Sequence, residues 1–213
     1  MIRIALADDH VMLRHGLAVL LREQPDMSVD GEAGTADELF SLLGTVRFDV
    51  VVLDVAMPGP GLISILKRIC EEHPAVRTIV LSMYAEEQYA MRALKAGAVG
   101  YLTKDRSPQL LVTAVRKVMQ GGRFVTESLA EHMAAGLSPA STRPPHELLS
   151  DREFEVLRGI GSGMSIKMLA SSMGISPKTA STYRTRILEK LGSKSNAELV
   201  RYAINQGLIE SQP

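Results

Sequence analysis

The sequence predicts an α/β plus all-α protein: a (βα)5 doubly wound parallel-sheet domain, then a smaller domain of four helices. Two observations carry this reading. Through about residue 120, short runs that are apolar throughout alternate five times with stretches whose apolar residues recur at helical spacing. Strands with no polar face belong in a parallel sheet covered on both sides. From Leu149 onward only helical periodicity remains.

The elements follow in order. Ile2–Ala7 is an apolar run broken only by Arg3, and Met12–Glu23 carries Met12, Leu13, Leu17, Leu20 and Leu21 at helical spacing. Ser28–Ala33 is a weaker strand before a helix near Ala36–Leu43. Asp49–Leu53, with three consecutive valines, is the strongest strand signal. Then come a helix near Ile63–His73, the strand Thr78–Ser82, a helix over Glu86–Ala96 stopped by Gly97, and the strand Gly100–Thr103. The last helix of this half runs Ser107–Gln120, with Ser107 as N-cap and Gly121 just past its end.

Residues 122–147 lose the periodic pattern and are rich in Ala, Ser, Pro and Gly, as a linker is, with room for a short helix at Glu127–Ala135. This divides the chain into domains at 1–121 and 148–213. In the second, Ser150 and Glu153 form a capping box leading into Phe154, Val156, Leu157 and Ile160. Ser165–Met173 is a second helix closed by Gly174. Ser176 caps a third that has Pro177 in its first turn and runs to about Leu191. Asn196–Gln206 is the fourth.

Composition excludes several classes. Of 213 residues, 46% are apolar and 23% charged, ordinary for a folded globular protein. A single cysteine, Cys70, rules out an intramolecular disulfide framework and fits a reducing compartment. The apolar start is too short for a signal peptide, and no run approaches the roughly 18 apolar residues of a membrane span, so the expectation is a cytoplasmic protein without a membrane partner. Net charge is zero, but its distribution is uneven: residues 1–122 hold 13 basic and 15 acidic residues, residues 167–201 hold 7 and 2. A mildly acidic front and a basic rear point to two separate tasks.

In a parallel α/β sheet, ligands sit beyond the carboxyl ends of the strands. The predicted strands put Asp8 and Asp9, Asp54, Ser82 and Lys104 there. Clustered carboxylates repel unless a cation joins them, and Mg2+ suits an all-oxygen set. A carboxylate beside that cation can attack phosphorus to form an aspartyl phosphate, while a lysine pairs with the phosphoryl oxygens and a hydroxyl donates to one. Any one of these residues alone is more often a cap, a turn or a solvated charge; the combination in strand order is what is informative.

In the rear, Ser165–Met173, a glycine turn and Ser176–Leu191 make a helix-turn-helix, whose second helix lies in the major groove of double-stranded DNA. Ala180, Tyr183, Ile187 and Leu191 share the inward face; Lys178, Ser181, Thr182, Thr185 and Glu189 lie outward, flanked by Arg184 and Arg186. Short polar side chains between cations suit a surface that reads bases and binds phosphates, although an ordinary solvated helix has the same pattern.

These residues resemble a known family. ADDH (Asp8–Asp9), LDVAMPG (Asp54), LSM (Ser82) and ALKAGAVGYLTKD (Lys104) resemble the receiver domain of response regulators. The resemblance implies that Asp54 is the phosphoacceptor and that Asp9, Asp54 and the Ala56 carbonyl bind Mg2+ with Asp8 in support. It makes Ser82, Lys104 and Tyr101 the switch residues; Tyr101 is equally an aromatic packed half-buried on the sheet. The stretch from Leu149 to Ile209 resembles the LuxR-type domain, matching at Glu153, Leu157, Gly163, Ser176, Lys178, Thr179 and Leu191 among others. By that resemblance Ser181, Thr182 and Thr185 read bases, with Thr179 beside them, while Lys167, Lys178, Arg184 and Arg186 hold the backbone. Leu199, Val200 and Ala203 on the last helix form the DNA-bound dimer, or complete the core.

The pairing is that of the NarL/FixJ family of response regulators, which implies a non-enzymatic transcription factor. Its partners would be a sensor histidine kinase, a second copy of itself, DNA and RNA polymerase. Two departures stand out: only Pro60 separates Gly59 from Gly61, one residue fewer than usual, and Met83 follows Ser82 where many receivers carry something small. They motivate the rival reading of an atypical receiver that acts without phosphorylation. A phosphatase using Asp8 as nucleophile is a weaker rival, since His10 stands where such enzymes carry a second carboxylate.

Overall fold

The computed structural model describes residues 1–55, 57, 60–82, 86–105, 108–126, 129–131 and 144–209, with the backbone alone at 86–88. It divides into two compact units, Met1–His132 and Met133–Pro213.

The first unit is built on five parallel strands in the order β2-β1-β3-β4-β5. They are β1 (Ile2–Ala7), β2 (Met27–Ala33), β3 (Val50–Asp54), β4 (Arg77–Ser82) and β5 (Gly100–Thr103). Five helices connect or follow them: α1 (Val11–Arg22), α2 (Ala36–Thr45), α3 (Leu62–Glu72), α4 (Glu86–Lys95) and α5 (Pro108–Met119). All five residues of β3 are buried, which explains its uninterrupted apolar run: it is central and packed on both faces. Because the strand order reverses between β1 and β3, the crevice beyond their carboxyl ends is the switch point of the sheet.

Packing against α1 and α5 brings together Ile4, Leu6, Val52, Leu17, Leu21 and Val115, among others. Not every apolar residue of α1 joins this core: Leu17, Ala18 and Leu21 are buried, whereas Met12 is 91% exposed. The first turn of α1 stands at the carboxyl edge of the sheet, so its apolar residues meet solvent. Gly97 has φ +111, and a Cβ there would lie 2.2 Å from Cys70 Sγ, so the α4–β5 turn accepts only glycine without rearrangement. The N-cap expected at Ser107 lies outside the described residues.

Residues after α5 do not leave the sheet at once, although the sequence reading begins the linker at 122. Phe124 forms a parallel bridge with Gly100 on the outer side of β5 and packs against the core. Residues 129–131 are helical and Leu129 is fully buried; 127, 128 and 132–135 of the expected short helix lie outside the described residues. An edge strand with unpaired amides is an exposed pairing template, and this return covers it.

Among the described residues, the second unit begins with a 3-10 turn (Pro145–Leu148), followed by α6 (Asp151–Gly161), α7 (Ile166–Ser172), α8 (Pro177–Leu191) and α9 (Asn196–Asn205). Each helix start carries a capping serine, two of which, Ser150 and Ser176, the sequence indicates: Ser150, Ser165, Ser176 and Ser195 accept from the N–H of Glu153, Met168, Thr179 and Glu198. The Ser150–Glu153 box is reciprocal. Gly192, at φ +63, ends α8 in the left-handed conformation. Inside, Phe154, Leu157, Leu169, Ala180, Ile187 and Leu199 form the buried centre. The expected linker ends in ordered structure here: His146 is buried, with Nδ1 3.0 Å from the Tyr202 hydroxyl.

Candidate phosphoacceptor site and nucleic-acid interface

The carboxyl edge of the first unit gathers the residues expected there. Asp8 follows β1, Asp54 closes β3, Ser82 closes β4, and Lys104 follows β5. Asp8, Asp54 and Ser82 are 3%, 2% and 0% exposed. The Lys104 ammonium lies 2.7 Å from Asp8 Oδ2 and 3.0 Å from Asp54 Oδ1, bridging carboxyl groups from two strands. Its backbone N–H donates to the Ser82 carbonyl at 2.7 Å, locking the start of the β5–α5 loop to the end of β4. Burial alone would lower the Lys104 pKa; hydrogen bonds and charge from Asp8 and Asp54 outweigh it and hold the amine above its ordinary value.

Asp9 is exposed, with His10 Nδ1 2.8 Å from its Oδ1. Ligand atoms of Asp8, Asp9, His10 and Asp54 all lie within 4.8 Å of one another. Asp8 and Asp54 share the Lys104 ammonium while Asp9 faces His10, and the donor set is dominated by oxygen, which fits a hard divalent cation such as Mg2+. The Ala56 carbonyl, the third expected ligand, lies outside the described residues, as do Gly59 and Met83. Two neighbours escaped the sequence reading. His10 donates its backbone N–H to Asp8 Oδ1 at 2.8 Å, and the Arg14 guanidinium donates to the Asp8 carbonyl.

Tyr101 is 0% exposed, so the expectation of a half-buried aromatic is corrected: its ring is enclosed in the unit. The reason lies in β5, where Gly100–Leu102 are all buried between the helices and the returning segment at Phe124.

In the second unit, α7, the turn at Gly174 (φ +63) and α8 make the helix-turn-helix. Lys167, Lys178, Ser181, Thr182, Thr185 and Arg186 are exposed and Thr179 is half-buried, so all are presented at the surface of α7 and α8. Arg184 is half-buried, and its Nε donates to Asn196 Oδ1 at 2.5 Å. Thr182 and Thr185 donate their hydroxyl protons back to the carbonyls of Lys178 and Ser181, at 3.0 and 3.1 Å. On the inward side Ala180 and Ile187 are buried, but Tyr183 and Leu191 only half-buried.

The dimer assignment on α9 needs correction. Leu199 and Ala203 are 0% exposed and close the core of their own unit, so neither offers a surface to a second copy. Val200 is half-buried, and Ile204, 42% exposed, is the large apolar residue that α9 turns outward.

Comparison with known proteins agrees with both halves. Residues 4–116 match the response regulator receiver domain, and residues 147–203 the luxR family of bacterial regulatory proteins. Response regulator UvrY of Escherichia coli K12 is 32% identical over 213 residues, covering 100% of this chain and 98% of that protein. Response regulator GacA of Pseudomonas viridiflava is 32% identical over 212 residues, covering 99% of each. Among solved structures, RcsB of Salmonella enterica serovar Typhimurium, bound to a promoter in the presence of the phosphomimetic BeF3−, superposes with a TM-score of 0.76 at 26% identity. That match covers 94% of this chain and 97% of RcsB. A further RcsB structure reaches a TM-score of 0.80 at the same identity. The chain belongs to the response regulators, as a receiver domain joined to a LuxR-type helix-turn-helix DNA-binding domain. Among the described residues no helix is long and apolar enough to cross a membrane.

Proposed function

We propose that this chain is a cytoplasmic transcription factor switched by transfer of a phosphoryl group from a sensor histidine kinase to Asp54. The observation that carries the reading is the Lys104 ammonium held between Asp8 and Asp54. A cation there supports the reading, because it can pair with the oxygens that a phosphoryl group on Asp54 would bring. Asp9 and Asp54 would hold Mg2+ together with the Ala56 carbonyl, and Asp8 would support them. The ion would offset charge between carboxylates and phosphoryl oxygens.

After transfer, Lys104 turns from Asp8 toward the phosphoryl oxygens and Ser82 donates to one of them. Tyr101, on β5 three residues before Lys104, carries the change to the surface of α4, β5 and α5. Reversing a two-state equilibrium from 1:99 to 99:1 needs about 5.5 kcal/mol. A few charge-assisted hydrogen bonds, about 1.5–3 kcal/mol each, are of that order. The receiver is taken as residues 1–121, the connection as 122–147 and the DNA-binding domain as 148–213. Lys167, Lys178, Arg184 and Arg186 bind phosphates of double-stranded DNA, while Thr179, Ser181, Thr182 and Thr185 face the bases. The protein works as a regulator and not as an enzyme. It pairs with a second copy through the outward face of α9, around Val200 and Ile204, and contacts RNA polymerase at the promoter.

Intact mass after incubation with Mg2+ and acetyl phosphate tests the phosphoryl step, with Asp54→Ala alongside. One added phosphoryl group in the parent protein alone is expected. No addition to a folded parent would overturn it in favour of a receiver that acts without phosphorylation.

A further inference from the structure

The two threonines on the outward face of α8 have already used their protons. The hydroxyl of Thr182 donates to the Lys178 carbonyl at 3.0 Å, and that of Thr185 to the Ser181 carbonyl at 3.1 Å. Both residues are exposed. A hydroxyl has one proton and two lone pairs, so each threonine presents an acceptor and a methyl group.

The major groove distinguishes base pairs by donors, acceptors and methyls. Guanine shows two acceptors, N7 and O6, which an acceptor cannot bind. Cytosine offers the N4 amine but no methyl. An A·T pair offers the N6 amine of adenine and the C5 methyl of thymine. It alone satisfies both halves of a threonine whose proton is committed. Nearby, Arg184 has its Nε bound to Asn196 at 2.5 Å, which anchors the guanidinium toward the start of α9 with its remaining N–H groups available to a phosphate.

We propose that Thr182 and Thr185 select A·T pairs, each accepting from an adenine N6 amine and packing its methyl against a thymine methyl, with Arg184 held by Asn196 as a backbone clamp. The inference rests on the assignment of α8 as the helix that reads DNA. It names the base-pair chemistry that helix prefers. Both threonines are exposed, so substitutions there leave the core of the unit untouched.

The test is selection of binding sites by the full-length protein from a randomised duplex pool, followed by base-analogue substitution in the selected half-site. Replacing the contacted thymine by uracil removes only the methyl and should weaken binding about four-fold, the worth of one buried methyl group. Replacing the paired adenine by purine removes only the amine and should also weaken it. Thr185→Ser should lose the uracil effect and keep the purine effect; Thr185→Val should do the reverse. Sites led by guanine and indifferent to uracil, with Thr182→Ala and Thr185→Ala still changing the selected sequence, would overturn this proposal while leaving α8 as the reading helix. An unchanged selected sequence in both alanine variants would overturn the assignment of α8 itself.

Discussion

The backbone N–H of Tyr101 donates to the carbonyl of Phe124 at 3.0 Å, and the N–H of Phe124 donates to the Val99 carbonyl at 2.9 Å. The strand that bears the enclosed aromatic is therefore bonded directly to the segment that leaves the receiver. Lys117 adds a contact, its ammonium 5.6 Å from the Phe124 ring centre.

Phe124→Ala should loosen this edge. Half of a phenylalanine's burial is lost, worth about 1–2 kcal/mol. Amide hydrogen exchange at Tyr101 should accelerate, while amides of β1 and β3 stay protected. Unchanged exchange at Tyr101 would show that the edge contact contributes no protection.

The site at Lys104 makes a different prediction. Lys104→Met removes the cation that Asp8 and Asp54 share and leaves their carboxyl groups facing one another. Stripping one partner from a buried charged cluster costs about 3–5 kcal/mol. Mg2+ should raise the Tm of the parent protein and raise that of the variant more, because the ion then competes with no ammonium. Equal shifts from Mg2+ in thermal unfolding would sink the idea that Lys104 stands in for a cation.

The third prediction concerns acid stability of the DNA-binding unit. Glu153 is 2% exposed, and burial alone would raise its pKa. Hydrogen bonds from Lys190, at 2.6 Å, and from the Ser150 N–H, at 2.8 Å, outweigh burial and hold the carboxyl below its ordinary value of 4.5. A carboxyl with a depressed folded-state pKa binds fewer protons when folded. Its stabilisation is therefore complete above the unfolded value and lost as pH falls through the folded one. Lys190→Met should lower stability at pH 7 by about 1–3 kcal/mol. The gap from the parent should close as pH drops below 4.5, in urea unfolding followed across pH. A gap independent of pH would mean that Lys190 acts through packing alone.

Much of this architecture was legible because it rests on local signals. The apolar run of β3, the caps at Ser150 and Ser176 and the glycines at 97 and 174 each obey rules that span a few residues. Asp8, Asp54, Ser82 and Lys104 fall together on sequence grounds, because strand ends in a parallel sheet share one edge. Amphipathic pattern was a weaker guide at the margins. It marked Met12 and Leu17 alike as apolar, and only Leu17 meets the sheet.

By itself, then, the sequence determined two domains, a five-strand parallel sheet, an acidic site at its carboxyl edge and a helix-turn-helix, since each follows from short-range periodicity, capping and strand order. Tertiary structure alone decided that Lys104 spans Asp8 and Asp54, that Phe124 returns to seal β5, and that Leu199 and Ala203 close a core in place of a dimer surface. Periodicity identifies which face of a helix is apolar, but which neighbour covers that face, or which charge a long side chain reaches, depends on residues tens of positions away in the chain.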